Sequence, residues 1–276
     1  QYLPQFQQVW NDCREAAIAT DLVTWPEYPI RYVQQPRWAR EAAPNLYFLY
    51  YRAPAAFDNL TPVEYLAPPI DASLPAAEQT RRLEATNDSA IKLNHVIHHG
   101  GLGHHVQNYH AYRAASRIGQ IAGVDCASRI ALFCGGTMTE GWACYATELM
   151  AEIGALTPLE HFAEQQSRLR MAARAIVDIR LHRGEYSLKD AAAHYVGQAG
   201  MGEDAAQGEA VKNSMFPGNA LMYLMGTEEI WRLRRDLKAR SSDFSLRHFH
   251  DTFLSYGSVP VTRIAARMRE EDSHAQ

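Results

Sequence analysis

The chain has 276 residues, 47% of them hydrophobic and 21% charged, a balance typical of a globular protein with a sizeable core. A net charge of -4 and the lack of a Lys/Arg-rich block argue against nucleic acid as a partner. No apolar run approaches the roughly 20 residues that cross a bilayer, so we expect no membrane partner. The four cysteines have no C-x-x-C spacing, which predicts reduced, buried thiols, and we expect a cytoplasmic protein.

The first 80 residues are rich in proline, which breaks long helices, and only residues 5–20 there predict a helix. The aromatic run 47–51, bounded by Pro44 and Pro54, is the one clear strand candidate. From residue 76 onward the apolar spacing predicts one helix after another, at 76–99, 102–118, 139–153, 158–182, 222–237 and 246–253.

The longest predicted helix, 158–182, carries one apolar stripe of the kind that faces a core, formed by Phe162, Leu169, Ala173 and Ile176. No repeat, low-complexity tract or linker divides the chain. The sequence therefore predicts a mostly α, multi-helix single domain over residues 1–276 with little β-structure. Within it, a proline-rich N-terminal region (1–80) precedes a helical core (81–270).

Residues 98–105, His-His-Gly-Gly-Leu-Gly-His-His, place four imidazoles around a turn that glycines interrupt. Imidazole is the commonest nitrogen ligand of zinc and similar metals, so this density of histidines predicts a metal site. In the helical zinc motif H-E-x-x-H, a Glu beside the first His acts as the general base. Here His99 follows His98, which is typical of a metallohydrolase whose usual base has been replaced.

Helical spacing alone does not bring these histidines together. His98 and His104 are six residues apart, whereas ligands on one helical face need spacings near three or four. The intervening glycines permit a kink that turns His104 or His105 back towards His98. A tetrahedral catalytic site needs a third ligand, for which Glu140 is the best carboxylate candidate and Glu148, two turns further on, the reserve.

Five segments, in the same order, resemble the motifs of the DUF885 family, a group of helical metallopeptidase-like proteins. Residues 98–105 resemble its H-E-x-x-P-G-H-H motif and residues 140–146 its E-G-W-A-x-Y-A segment. Residues 174–182 are similar to R-x-x-x-D-x-x-L-H, 217–226 to P-G-Q-A-x-x-Y-x-x-G, and 249–260 to F-H-D-x-x-L-x-x-G-x-x-P. Ordered agreement at five places is more specific than any one motif.

This resemblance implies a metallopeptidase-like fold with zinc as cofactor. It implies His98, His104 and Glu140 as the metal ligands, and His105 as a substrate-binding residue or an alternative ligand. His95 and His99, one helical turn apart, are a rival metal pair, and a histidine-rich helix end without any metal is the purely structural alternative.

The sequence departs from the family motifs at three positions, with His99 in place of Glu, Leu102 in place of Pro and Asn219 in place of Gln. In a metallopeptidase the Glu takes a proton from metal-bound water and passes it to the leaving amine. Its replacement argues against ordinary proteolysis. A neutral imidazole with a pKa of ~6.5 can still accept a proton near neutral pH, so His99 is the candidate catalytic base.

Five further side chains are candidates for the reaction. Tyr223 is a candidate hydrogen-bond donor to a developing oxyanion, and His182 and His250 are candidates to supply a proton or anchor a carboxylate. Arg174 and Arg180 are candidates to bind a substrate carboxylate. Each has a structural alternative, namely a tyrosine packed at the core edge, a histidine at a helix end, or an arginine in a solvated ion pair.

We therefore expect a divalent-metal-dependent hydrolase that acts on an amide, a peptide-like compound or another small carboxylate-bearing substrate. The same ligands also suit iron, so a non-hydrolytic enzyme, either an oxygenase or a lyase or isomerase, is the first alternative. A non-catalytic relative that keeps the fold and binds a ligand or partner is the second.

Overall fold

The computed structural model describes residues 2–36, 51–52, 63–67, 73–121 and 135–275. Helices dominate this part of the chain, which confirms the predicted mostly α fold. In chain order they are α1 (Tyr2–Ala19), α2 (Ala76–Ala85), α3 (Asp88–Ala90), a π-helix (Ile91–Gly100), α4 (His104–Ala111), α5 (Arg117–Ile121), α6 (Gly136–Glu152), α7 (Pro158–His182), α8 (Leu188–Ala199), α9 (Glu203–Ser214), α10 (Leu221–Arg240), α11 (Leu246–Ser255) and α12 (Val261–Ala275).

The described strands form a small sheet in the order β1-β3-β2, with bounds β1 (Ile30–Gln34), β2 (Tyr51–Arg52) and β3 (Val63–Ala67). β1 runs parallel to β3, whereas β2 runs antiparallel to it. Of the strand candidate 47–51, Tyr51 lies in β2, and the other four residues lie outside the described residues. β1 and β3 were not predicted, because the pairing of two distant segments leaves no signal within either five-residue strand.

Helix α7 has the bounds that the sequence predicts, because its end signals are local and strong. The Thr157 hydroxyl accepts a hydrogen bond from the backbone N–H of Glu160 (3.3 Å), and the Glu160 carboxylate accepts one from the N–H of Thr157 (2.8 Å). This is a capping box, and Pro158 occupies the first helical position. Gly184, at a φ of 72°, then takes the left-handed conformation that ends the helix.

Two of the predicted helices are divided. Residues 76–99 form α2, α3 and most of the π-helix, and residues 102–118 contain α4 and the start of α5. Each division falls at a polar side chain that caps a new helix. Asn87 accepts a hydrogen bond from Ala90 N at 3.0 Å, and Ser116 accepts one from Gly119 N at 3.0 Å. Apolar spacing continues across such caps, which is why it did not reveal them.

The predicted core-facing stripe of α7 is wrong for three of its four residues. Phe162, Leu169 and Ile176 are 66%, 51% and 41% exposed, and only Ala173 is buried. Helix α7 instead packs against α8, α9 and α10 through faces that carry small and polar side chains. The buried residues of α7 are Glu164, Met171, Ala173, Ala175, Val177 and Asp178. The large apolar side chains of α7 therefore predict the wrong buried face. The face that is buried carries alanines, which permit a closer approach of neighbouring helices.

The main core extends from Phe6 in α1 to Met268 in α12, so it includes side chains of both the proline-rich region and the helical part. At its centre α6 and α10 touch backbone to backbone. A Cβ on Gly141 of α6 would lie 2.6 Å from the Cα of Gly226 in α10, closer than any real contact of this kind. This contact holds the first half of α6, including the neighbouring Glu140, within the core.

None of the helices in the described ranges is long and apolar enough to span a bilayer. Cys13 and Cys144 are buried free thiols, as predicted, whereas Cys126 and Cys134 lie outside the described residues. Burial raises the pKa of the Cys13 thiol to about 12 and that of Cys144 well above its usual value. Both thiols therefore stay protonated and unreactive at neutral pH.

Candidate metal centre

A π-helix brings two neighbouring histidines to the same side of their segment. The i→i+5 hydrogen bonds of a π-helix widen each turn, so successive side chains diverge less than they do on an α-helix. The rings of His98 and His99 have centroids only 4.6 Å apart. Segments of this kind are rare and occur often at functional sites. The sequence predicts an ordinary helix over residues 76–99 and gives no signal for the π-helix that brings the rings of His98 and His99 together.

The turn after the π-helix brings His104 back to His98. The backbone N–H of Gly103 donates a hydrogen bond to the carbonyl of Ile97 (2.8 Å), which reverses the chain. A Cβ on Gly103 would lie 2.7 Å from the carbonyl carbon of His98, so only glycine fits this approach. The His104 ring then lies 4.9 Å from the ring of His98 and 5.4 Å from that of His99.

Three imidazoles and one carboxylate meet at this turn. One ring nitrogen from each of His98, His99 and His104 lies within 4.8 Å of the other two. Helix α6 adds Glu140, whose Oε2 is 3.2 Å from Nε2 of His98 and 3.6 Å from Nε2 of His104. The structure therefore brings together the three predicted ligands, and it places the predicted base His99 beside them.

The environment favours the protonation states that bind a metal. Burial lowers the pKa of the His98 imidazole, and burial together with the neighbouring His98 and His104 lowers that of His99 well below its usual value. Burial alone would raise the pKa of the Glu140 carboxyl, but hydrogen bonds and charges from His104 and His98 hold it well below its usual range. Neutral imidazoles and an ionised carboxylate are the ligand forms.

The backbone fixes the orientation of the His99 ring. Its Nδ1 lies 2.7 Å from the carbonyl oxygen of Asn94, five residues earlier in the π-helix. A carbonyl can only accept, so Nδ1 carries the proton and Nε2 is the unprotonated nitrogen of the neutral ring. A hydrogen bond from a ring N–H to a backbone carbonyl is the usual way in which a protein orients a histidine ligand.

Of the two predicted arginines, only Arg174 lies near the centre. Its charge reaches His98, and its guanidinium stands 5.3 Å from the ring centroid of Tyr223. Nε and Nη2 of Arg174 donate to the two carboxylate oxygens of Glu209, at 2.8 and 3.0 Å. Arg180 is exposed instead and donates to the hydroxyl of Tyr186 at 2.7 Å.

Asp178 belongs to one of the five sequence motifs, but the sequence predicts no role for it. In the structure it anchors a loop. Its buried carboxylate accepts hydrogen bonds from the backbone N–H groups of Gly218 (2.9 Å) and Ala220 (2.7 Å), which anchors the loop before α10. The predicted catalytic His182 donates from Nδ1 to the same carboxylate (2.8 Å). His182 thus supports the loop that leads to Tyr223, and its role in a reaction stays a prediction.

Two further histidines, His250 and His105, make contacts within the core. Nδ1 of His250 lies 2.7 Å from the carbonyl of Leu22, and its Nε2 lies 2.9 Å from the hydroxyl of Tyr145. Nε2 of His105 lies 3.3 Å from the carbonyl of Tyr28. Burial lowers the pKa of both imidazoles to about 4. The structure does not show His250 or His105 among the groups that meet at Glu140, and their predicted roles stay predictions.

The two remaining metal-site candidates also have other partners. His95, from the rival pair, contacts the hydroxyl of Tyr65, and it is not part of the group of nitrogens that includes His99. Glu148, the reserve carboxylate, pairs with Arg168 at 3.3 Å and accepts a hydrogen bond from the indole of Trp231.

The fold and the centre together define a class: a mostly helical protein in which His98, His99 and His104 lie close enough to hold a metal ion, beside Glu140. The chain belongs to the DUF885 family of bacterial proteins of unknown function, whose family model matches residues 1–268. This confirms the resemblance that the five motifs indicated. No curated protein matches the chain.

Solved structures show the same fold in longer proteins. One, "a putative lipoprotein of unknown function from Shewanella oneidensis", superposes with a TM-score of 0.80 at 24% identity, over 97% of this chain and 45% of its own. Another, "the putative lipoprotein from Colwellia psychrerythraea", gives a TM-score of 0.78 at 24% identity, over 98% of this chain and 43% of its own. The chain therefore spans less than half the length of these two structures.

Proposed function

We propose that this protein is a divalent-metal-dependent enzyme of the metallohydrolase type, with zinc held by His98, His104 and Glu140. The observation that carries the proposal is the approach of two imidazole nitrogens to one oxygen of Glu140, at 3.2 and 3.6 Å. Two histidines and one carboxylate are the ligands of many catalytic zinc sites. A metal bound there polarises a substrate carbonyl and lowers the pKa of a bound water.

The buried charge of Glu140 supports a cation at this centre. Glu140 is only 7% exposed, and the groups that hold its pKa low are the imidazoles of His104 and His98, which are themselves metal-ligand types. The nearby Arg174 is already engaged with Glu209. A buried carboxylate is stable when it is paired with a cation or a metal, so the donor set fits a divalent ion.

The surroundings support an amide, a peptide-like compound or another small substrate with a carboxylate. Arginine has five N–H donors, and the two bonds to Glu209 use Nε and Nη2 of Arg174, so donors remain for a substrate carboxylate. Tyr223 lies beside this guanidinium and is the proposed hydrogen-bond donor to a developing oxyanion. In this function His99 accepts the proton that the family motif assigns to Glu.

A second candidate function rests on His99 itself. A general base works best when its pKa lies near the operating pH, and burial holds the pKa of His99 well below that range. With Nδ1 bonded to Asn94, His99 suits the role of a third nitrogen ligand. Three imidazoles and a carboxylate fill the position that a hydrolytic zinc site keeps open. Such a set favours iron and a non-hydrolytic reaction, either an oxygenase or a lyase or isomerase.

Metal titration tests the centre directly. We expect wild-type protein, stripped with chelator, to bind one zinc ion by calorimetry, and Glu140→Gln to bind it at least ~100-fold more weakly, since even partners of ligands contribute 10–100-fold. Glu148→Gln, on the same helix, is the control and keeps its affinity. Sub-stoichiometric zinc and iron in every preparation of the wild type contradicts both enzyme proposals, whereas tightly bound iron in purified protein favours the second.

The two candidate functions differ in what Glu does at position 99. We expect His99→Glu to raise the metal-dependent hydrolysis of simple amide substrates, because it restores the base of the family motif. His99→Gln, which is similar in size but is no base, controls for packing. If His99→Glu gains nothing while its zinc content is intact, hydrolysis is contradicted. A fall in metal affinity in His99→Gln then supports His99 as a ligand.

A further inference from the structure

A concave site, separate from the histidine centre, lies between α6, α7 and α10. It is a cleft of about 220 Å³, and none of the residues that meet at Glu140 lines it. Two of its side chains are buried carboxyls, with Glu148 6% and Glu164 1% exposed. The titratable and aromatic side chains of the lining are Glu148, Glu152, His161, Glu164, Arg168 and Trp231, and Gln165 also lines the cleft.

The nearby cations are already shared among the other carboxylates of the cleft. Arg234 binds both oxygens of Glu152, at 2.7 and 2.6 Å. Arg168 pairs with Glu148 at 3.3 Å and also reaches Glu228 at 3.9 Å. The lining therefore has three carboxyl groups for one arginine and one histidine.

Glu164 is the carboxylate without a cation in this arrangement. Its Oε2 accepts a hydrogen bond from the side chain of Gln165 (2.7 Å), but its Oε1 is buried with no hydrogen-bond partner. The ion pairs found among the described residues do not include Glu164. Burial raises the pKa of this carboxyl, as it does for Glu148. A buried carboxylate oxygen with no donor is costly, and a ligand that donates a hydrogen bond would relieve this cost.

Among the described residues, the cleft contains no group of three close metal ligands. In the described part of the chain, His98, His99 and His104 are the only three potential ligands that lie within 4.8 Å of one another. The carboxylates of Glu148 and Glu164 and the ring of His161 do not form such a group. An organic cation, whose N–H groups donate to carboxylate oxygens, needs no such group of ligands.

We propose that the cleft binds a small organic ammonium ion, whose N–H groups donate to Oε1 of Glu164 and whose alkyl part packs against Trp231 and Ala151. The volume agrees with this class of ligand. A site needs only about 10–15 Å³ by this kind of measure to hold one water, so about 220 Å³ leaves room for a small organic ion. A charge-assisted hydrogen bond to a buried carboxylate supplies the selectivity for charge over a neutral isostere.

Calorimetric titration of the full chain with n-butylammonium chloride tests this site. We expect saturable binding to wild type, with n-butanol and tetramethylammonium binding much more weakly, because the first lacks the charge and the second lacks N–H donors. Glu164→Gln removes the charge with little change in volume, and we expect it to weaken n-butylammonium binding about ten-fold or more. Glu164→Asp, which keeps the charge, should retain part of the affinity.

Glu15→Gln, an exposed position on α1, makes the same chemical change outside the cleft and should leave binding unchanged. Circular dichroism and thermal unfolding of ligand-free Glu164→Gln establish that it folds, and we expect it to be at least as stable as wild type because a buried unpaired charge is removed. The proposal is overturned if wild type shows no saturable binding, if n-butanol binds as tightly as n-butylammonium, or if Glu164→Gln binds like wild type.

Discussion

Helix α6 carries two buried glutamates, eight residues apart, whose surroundings have opposite effects on their charge. Glu140 faces imidazoles of the histidine centre, and the hydrogen bonds of His104 and His98 hold its pKa well below the usual range. Burial dominates at Glu148 and raises its pKa to about 7, in spite of Arg168. One helix thus presents an ionised carboxylate to one site and a readily protonated one to another.

This difference follows from the partners that each end of α6 meets. The turn at Gly103 brings two imidazole nitrogens within 3.6 Å of one oxygen of Glu140. Glu148 lies in the acidic cleft, where Glu164 adds a second buried carboxyl. Environments that separate the pKa values of like groups are typical of functional sites, although structural ion pairs also produce them. We propose a metal at the first site and an organic cation at the second.

The largest expected effect comes from separating α6 from α10. Gly226 lies against Gly141 and the backbone of Thr137, so a Cβ there has no space. We expect Gly226→Ala to lower the free energy of unfolding by about 3 kcal/mol or more, because the clash is with backbone. It should also weaken zinc binding, since the contact positions Glu140. Urea unfolding followed by circular dichroism measures the first effect.

Gly197→Ala is the matched control for that substitution. Gly197 lies within α8, and a Cβ there meets no other atom within 4 Å. Alanine at an open helical position should raise the free energy of unfolding by about 0.5–1 kcal/mol. If Gly226→Ala proves as mild as Gly197→Ala, the close contact of α6 with α10 is contradicted.

The raised pKa of Glu148 predicts a pH dependence of stability. Its pKa is about 7 in the folded protein and near 4.5 when unfolded, so the folded state binds the proton more tightly between these values. Protonated Glu148 therefore adds to the free energy of unfolding at low pH. This contribution falls as the pH rises from about 4.5 and is lost once the pH has passed about 7. At roughly 1.4 kcal/mol for each pKa unit, we expect a loss of about 3 kcal/mol in wild type relative to Glu148→Gln.

Urea unfolding of wild type and Glu148→Gln at several pH values, in buffer without amines, measures this difference. The comparison with Glu148→Gln cancels the titration of groups that the two proteins share. Parallel curves for the two proteins between pH 4.5 and 7 would show that Glu148 stays ionised, and the contrast with Glu140 would then disappear.

Local signals in the sequence predicted much of this architecture. The bounds of α7 follow from Thr157, Pro158 and Gly184, whose effects reach only a few residues along the chain. The motif comparison selected His98, His104 and Glu140, which the structure brings together. The bounds of α7 are confirmed because they depend on short spacings, whereas the ligand role of His98, His104 and Glu140 stays a prediction.

Features that depend on distant contacts were not predicted. The π-helix that places His99 beside His98 has no apolar pattern of its own. The buried face of α7 contains Glu164 and Asp178, which hydrophobic periodicity assigns to solvent. The environment of Glu164 comes from side chains on three helices, so only the tertiary structure reveals the cleft.

The smallest expected effect concerns the segment that joins the two sites. Lys92 of the π-helix donates to the carbonyl of Ala155 (2.7 Å) and to Glu160 (2.8 Å), and Glu160 completes the capping box with Thr157 at the start of α7. Thr157→Ala should lower the free energy of unfolding by about 1 kcal/mol, and Thr157→Ser should restore most of it, because the hydroxyl caps the helix. Zinc and n-butylammonium affinities should be unchanged in Thr157→Ala, because Lys92 still binds Glu160. A change in either affinity would show that the two sites are coupled through the start of α7, and the contrast between Glu140 and Glu148 would then belong to one connected system.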